Sequence, residues 1–180
     1  GSPSSMPLPL IRGINEHLLS AFSTIDKPEI AIECHPGYLE SNDWQYLLDS
    51  GFNRFSLGIQ DFNTDVLRTV NRRPSLLPVA DIMEILRKGG AKVNFDFIYG
   101  LPKQTTTEFV STIQTAISLH PNRLVTFSYA HLPSLFKRQM ILEKLLAVQA
   151  AYQGELISKQ EIDLIKQCWT EDILKQGSKP

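Results

Sequence analysis

Strand-like and helix-like stretches alternate along this chain, and no other feature of the sequence limits the fold as much. Residues 29–34, 54–59, 92–98 and 124–129 read as strands, the third rich in Phe, Val and Ile. Residues 8–22, 44–50, 64–70 and 76–88 read as helices. Punctuation supports these readings. Ser41-Asn42-Asp43 opens the second helix and Gly51 stops it. Pro78 is tolerated in the first turn of the helix over 76–88, which Gly89-Gly90 ends. Tyr99-Gly100-Leu101-Pro102 breaks the third strand, and Thr105-Thr106-Thr107-Glu108 forms a capping box. The helix after it is expected to place Phe109, Ile113, Ala116 and Ile117 on one face, before Pro121 breaks it. Two terminal helices are expected over 141–152 and 159–174, the second opened by Ser158-x-x-Glu161.

Strands separated by helices require crossover connections, so the expected class is α/β with a parallel sheet and outer helices. The pattern fits a βα-repeat barrel or a doubly wound sheet, and does not separate them. Four strands are too few to close a βα barrel, so an open sheet or a piece of a larger one is expected. Of the 180 residues, 42% are hydrophobic, enough for one domain with a real core. A net charge of −1 gives no electrostatic footprint for nucleic acid or a membrane surface. No apolar run is long enough to span a bilayer, and residues 1–10 lack the pattern of a secretory leader, so a cytoplasmic protein is expected. Cys34 and Cys168 are the only cysteines; they make neither a disulfide framework nor a CxxC or CxxxCxxC motif. No cluster has metal-ligand spacing, so no metal site is assigned.

Ligands of parallel sheets gather at the carboxyl ends of the strands. The first strand brings Glu33 there, the second Gln60, the third Asp96 and the fourth Ala130-His131; Arg72 lies in the loop TVNRRP. Two carboxylates can accept from ribose hydroxyls or an ammonium group, an amide bridges both kinds of partner, and an arginine grips a carboxylate. This is equipment for a polar, zwitterionic nucleoside. Each residue also has a plainer reading. Glu33 and Arg72 could be solvated charges, Gln60 a helix cap, His131 a satisfied loop histidine. Asp96, between Phe95 and Phe97, would need a partner if buried.

The strings ECHP, GFNRFSLGIQDFN, VNRRP, VNFDFIYGLPKQT and FSYAHLP, in this order and spacing, resemble the central part of the oxygen-independent coproporphyrinogen III oxidase family of radical S-adenosylmethionine (SAM) enzymes. The resemblance covers residues 1–137 and fades over 138–180, which are set apart as a C-terminal helical segment. It implies a partial radical SAM barrel, with SAM and a [4Fe–4S] cluster as cofactors of the parent protein. It also implies that Glu33 holds the SAM ribose, that Gln60, Arg72 and Asp96 line the pocket, and that the Ala130 backbone lies against it. Gly1 and Ser2 match the end of a GGTPS turn that reaches the methionyl part of SAM; the plainer reading is a tag scar.

The three cluster cysteines of the family are absent, so the chain alone is expected to be silent. The reaction implied for the parent is oxidative decarboxylation of porphyrinogen propionates, with an electron donor. No residue is assigned a catalytic role; Lys137 and Arg138 are candidates to meet substrate carboxylates. A haem chaperone of the same subfamily is the rival reading, disfavoured by Asn71-Arg72 and by Tyr129-Ala130-His131-Leu132-Pro133. A cluster-free βα binding domain is another. A partial barrel leaves a sheet edge uncovered, so self-association through that edge is expected.

Overall fold

The computed structural model describes residues 2–130 and residue 160. The chain divides into two compact units, Gly1–Tyr129 and Ala130–Pro180. The first holds every strand and helix named below. The helices expected over 141–152 and 159–174 lie outside the described residues, save for helical Gln160, as do Gly1, His131, Lys137, Arg138 and Cys168.

In chain order the elements are α1 (Leu8–Ala21), β1 (Ala31–Cys34), α2 (Ser41–Asp49), β2 (Arg54–Gln60), α3 (Thr64–Thr69), α4 (Val79–Lys88), β3 (Lys92–Tyr99), α5 (Thr106–Ser118) and β4 (Arg123–Ser128). Single 3₁₀ turns occur at Pro3–Ser5 and Pro36–Tyr38. The expected helices and strands of this unit are all present, with shifted ends. The helix expected over 76–88 begins only at Val79, because Pro78 sits at its N-cap with a non-helical ψ of 130°. Ser41, Asn42 and Asp43 belong to α2 itself; its cap is Glu40, whose amide is bonded by the Asp43 carboxylate at 2.7 Å. The capping box of α5 forms as expected: Thr105 Oγ1 accepts from the Glu108 amide and the Glu108 carboxylate accepts from the Thr105 amide.

The four strands are parallel and lie in the order β1-β2-β3-β4. Spatial order equals chain order. A doubly wound sheet reverses its strand order at a switch point; this one does not, so its winding is that of a partial βα barrel. Alternation along each strand then sorts the side chains. Ile32, Cys34, Phe55, Leu57, Ile59, Val93, Phe95 and Phe97 turn to one face, where Trp44 and Leu47 of α2, Ile82, Met83 and Leu86 of α4, and Ala116 of α5 close the core over them. Each such large side chain contributes about 1.5–3 kcal/mol by leaving water. On α5, Thr112 is buried where Ile117 was expected; Ile117 is exposed. The helix turns a hydroxyl inward because a carboxylate waits there, as described below.

The opposite face carries Glu33, Ser56, Gly58, Asn94 and Asp96, none of them buried. Helices cover the apolar face, so polar strand residues on the other can serve a ligand.

Candidate functional site

The register sets the site out in rows. Glu33, Ser56 and Asn94 are neighbours on β1, β2 and β3, and Gly58 stands beside Asp96 in the next row. Asp96 is thus a mid-strand residue with three β3 residues beyond it, not a strand-end one. Phe95 and Phe97 point to the far face, so its surroundings are polar. Its Oδ2 accepts from Ser56 Oγ at 2.9 Å and its Oδ1 from Asn94 Nδ2 at 2.7 Å. Asn94 Nδ2 also donates to Ser56 Oγ at 2.7 Å. The three form a closed triangle that fixes the carboxylate.

At the end of β2 the ladder shifts register between Gly58 and Gln60. Gln60 takes φ 68°, a left-handed conformation that non-glycine residues seldom adopt and that recurs at functional sites. Its side chain folds back over Gly58: a Cβ added there would lie 2.9 Å from Gln60 Nε2. The same Cβ would lie 2.7 Å from Arg72 Nη2. Arg72, half-buried in the loop after α3, donates that group to the Gly58 carbonyl. Burial draws its pKa below the usual arginine value, partly offset by Tyr38. Glycine at 58 leaves room for both side-chain ends where they lie.

At β1, Ser2 Oγ donates to the Glu33 carbonyl at 3.1 Å and contacts Ser4 Oγ at 2.9 Å. Ser4 Oγ accepts from the His35 amide at 2.8 Å. The turn Pro3–Ser5 thereby satisfies backbone groups at the end of β1 with hydroxyls. Ser2 meets the backbone of Glu33, and the Glu33 carboxylate has no side-chain partner among the described residues. His35 Nδ1 accepts from the Gly37 amide at 3.0 Å. Burial first, then Arg72 and Arg73, lower its pKa to about 4, so it is neutral at pH 7.

The structure therefore brings Gln60 and Arg72 together over Gly58, sets Asp96 on the adjacent strand, and places Glu33 one row lower on β1. Ala130 is the second residue past β4 and opens the other unit. Ser56, Gly58 and Asn94 escaped the sequence reading, although the alternation in RFSLGIQ and KVNFDF marks them as sharing the face of Asp96.

Two atoms bear on ligand chemistry. Gln60 Oε1 and Asn94 Oδ1 are buried acceptors without a hydrogen-bond partner among the described residues. Such atoms cost free energy unless a donor reaches them. SAM offers ribose hydroxyls, an adenine amine and an ammonium group as donors, and a carboxylate for a guanidinium. The donor and acceptor set of this face fits that molecule. It does not fit an iron–sulfur cluster. Among the described residues no group of His, Cys, Asp and Glu could hold a metal ion. Cys34 is buried on the helix-covered face, and burial, then the Glu33 charge, push its thiol up to about 12.

A family model described as the radical SAM superfamily matches residues 7–116. The oxygen-independent coproporphyrinogen III oxidase of Escherichia coli is 38% identical over 140 residues, which is 77% of this chain and 31% of that protein. Its namesake from Helicobacter pylori strain J99 is 33% identical over 148 residues, 81% of this chain and 32% of that protein. The chain thus spans about a third of the length of the curated relatives it matches. A solved structure of coproporphyrinogen III oxidase from E. coli, titled a radical SAM enzyme, superposes with TM-score 0.71 at 38% identity, over 78% of this chain and 32% of that one. A radical SAM methyltransferase from Kitasatospora setae superposes with TM-score 0.55 at 13% identity, over 69% of this chain and 23% of that one, a likeness of fold alone.

Proposed function

The chain belongs to the radical SAM superfamily, and from that premise we propose that its polar sheet face positions SAM in an oxygen-independent coproporphyrinogen III oxidase. One observation carries the reading: Gln60 and Asn94 present buried acceptors, unpartnered among the described residues, on the face that also holds Asp96 and Arg72. Glu33 and Asp96 accept from the ribose and ammonium groups. Arg72 faces the carboxylate, and Gly58 leaves room for the ligand to approach the backbone. Ser2 serves the methionyl end in this reading; the parts that the resemblance implies for Gly1 and for the Ala130 backbone rest on the resemblance alone. SAM, when bound and reductively cleaved, supplies hydrogen-atom abstraction; the protein supplies orientation and exclusion of water.

The substrate in this reading is a porphyrinogen whose propionates each lose a hydrogen atom, CO2 and one electron, in the cytoplasm, with an external donor for the electron that cleaves SAM and an acceptor for the electron released. Residues 1–137 act as the barrel segment, and residues 138–180 have no assigned part. The relatives' names favour the oxidase over a haem chaperone. Because these 180 residues carry two cysteines and no CxxxCxxC, they assemble no cluster and are catalytically silent alone.

The test is a chimera. Residues 2–130 replace the matching third of the E. coli relative, which keeps its own cysteines. Vinyl-bearing product from coproporphyrinogen III supports the proposal. A chimera that folds and carries its cluster but neither cleaves SAM nor decarboxylates contradicts it.

A further inference from the structure

Gln60 is held in an unfavourable backbone conformation while its side-chain oxygen meets no partner among the described residues. Something must hold it there, and the next residue supplies the means. Asp61 is 1% exposed. Its Oδ1 accepts from the Asn63 amide at 2.8 Å and from Thr112 Oγ1 on α5 at 2.7 Å. Its Oδ2 accepts from Gln104 Nε2 at 2.6 Å. Gln104 in turn donates to the Ile98 carbonyl at 3.1 Å and accepts from the amides of Gly100, at 2.7 Å, and Leu101, at 3.3 Å. One buried carboxylate thus joins the end of β2, the end of β3, the loop beyond it and α5.

We infer that the Asp61–Gln104 pair is a latch that fixes Gln60 in its left-handed conformation, which makes Asp61 a positioning residue for the ligand pocket. The chemistry of the site supports this. All the donors to Asp61 are neutral, so burying it carries a desolvation cost that no cation offsets. An apolar side chain would fill the space more cheaply, but it could not fix three segments in direction. What the latch holds in place is an amide with nothing to bond inside the described protein. A purely structural latch would have no need to aim such a group at the polar face. Gln104 belongs to the same string, VNFDFIYGLPKQT, that contributes Asp96.

The inference rests on the SAM-binding reading, so its test has two arms. The first is a crystal structure of the ligand-free Asp61→Asn chain, whose new NH2 group faces a donor in either orientation, the Gln104 amide or the Asn63 backbone amide. The latch requires residue 60 to leave positive φ; an unchanged φ near 68° overturns it. This arm needs no SAM. The second is calorimetric SAM titration of wild type, Asp61→Asn, Gln60→Ala and the double variant. Asp61→Asn is expected to weaken binding about tenfold alone, and less than twofold when Gln60 is already Ala, while lowering the melting temperature equally in both backgrounds. Equal weakening in both backgrounds would mean a general structural role and overturn the inference. Absence of SAM binding in the wild type counts against the pocket reading, and the latch is then judged on the backbone of residue 60. Should Asp61→Asn fail to fold, Thr112→Val removes one donor at constant volume and is read in the same two ways.

Discussion

A glycine and a histidine illustrate how single residues set this site. The ends of Gln60 and Arg72 both lie over Gly58, so Gly58→Ala pushes a methyl group into both. SAM affinity should fall by about tenfold or more, roughly 1.4 kcal/mol, while the melting temperature changes little; calorimetry beside a thermal scan checks both. His35 makes a stability prediction. Its folded pKa of about 4 lies below the unfolded 6.5. The unfolded chain therefore takes up the proton first as pH falls. Stability is fully present above pH 6.5 and is lost progressively toward pH 4. Urea midpoints at pH 7.5 and 5 should differ more for wild type than for His35→Asn, which keeps an acceptor for the Gly37 amide but cannot titrate. Equal differences would show that other groups set the pH dependence.

At the scale of elements, local signals were legible and long-range ones were not. The T-x-x-E of α5 reads as a capping box from sequence and forms one. Thr105→Ala should cost about 1 kcal/mol in denaturant unfolding, and no loss would contradict the cap's role. The start of α4 was misread because Pro78 can occupy a first turn or stop short of it, and only the tertiary path decides. Asp96 was singled out for the wrong surroundings. Its neighbours in sequence are phenylalanines, whereas its neighbours in space, Ser56 and Asn94, follow from the two-residue period of parallel strands. The Asp61–Gln104 bond joins residues 43 apart, and no local pattern announces it. The same holds for Thr112, whose inward turn makes sense only once Asp61 lies beneath it.

For the whole molecule, a parallel α/β sheet followed from the alternation of elements, whereas its winding did not. Barrel and doubly wound sheets share the same string of strands and helices, and only the order β1-β2-β3-β4 separates them. Among the described residues no further strand pairs with β1 or β4. We expect a sheet edge to pair with another chain; a monodisperse monomer in sedimentation at high concentration would contradict that. Iron and sulfide reconstitution of the 180-residue chain should leave no stoichiometric [4Fe–4S] absorbance, and a full cluster would contradict the account. The central claim is that the polar face of the sheet binds SAM through its strand side chains. Calorimetric titration of the chain with SAM, wild type beside Asp96→Ala, tests it most directly. Binding by the wild type that the substitution weakens about tenfold or abolishes is the predicted result. Equal binding by both, or none by the wild type, would contradict it.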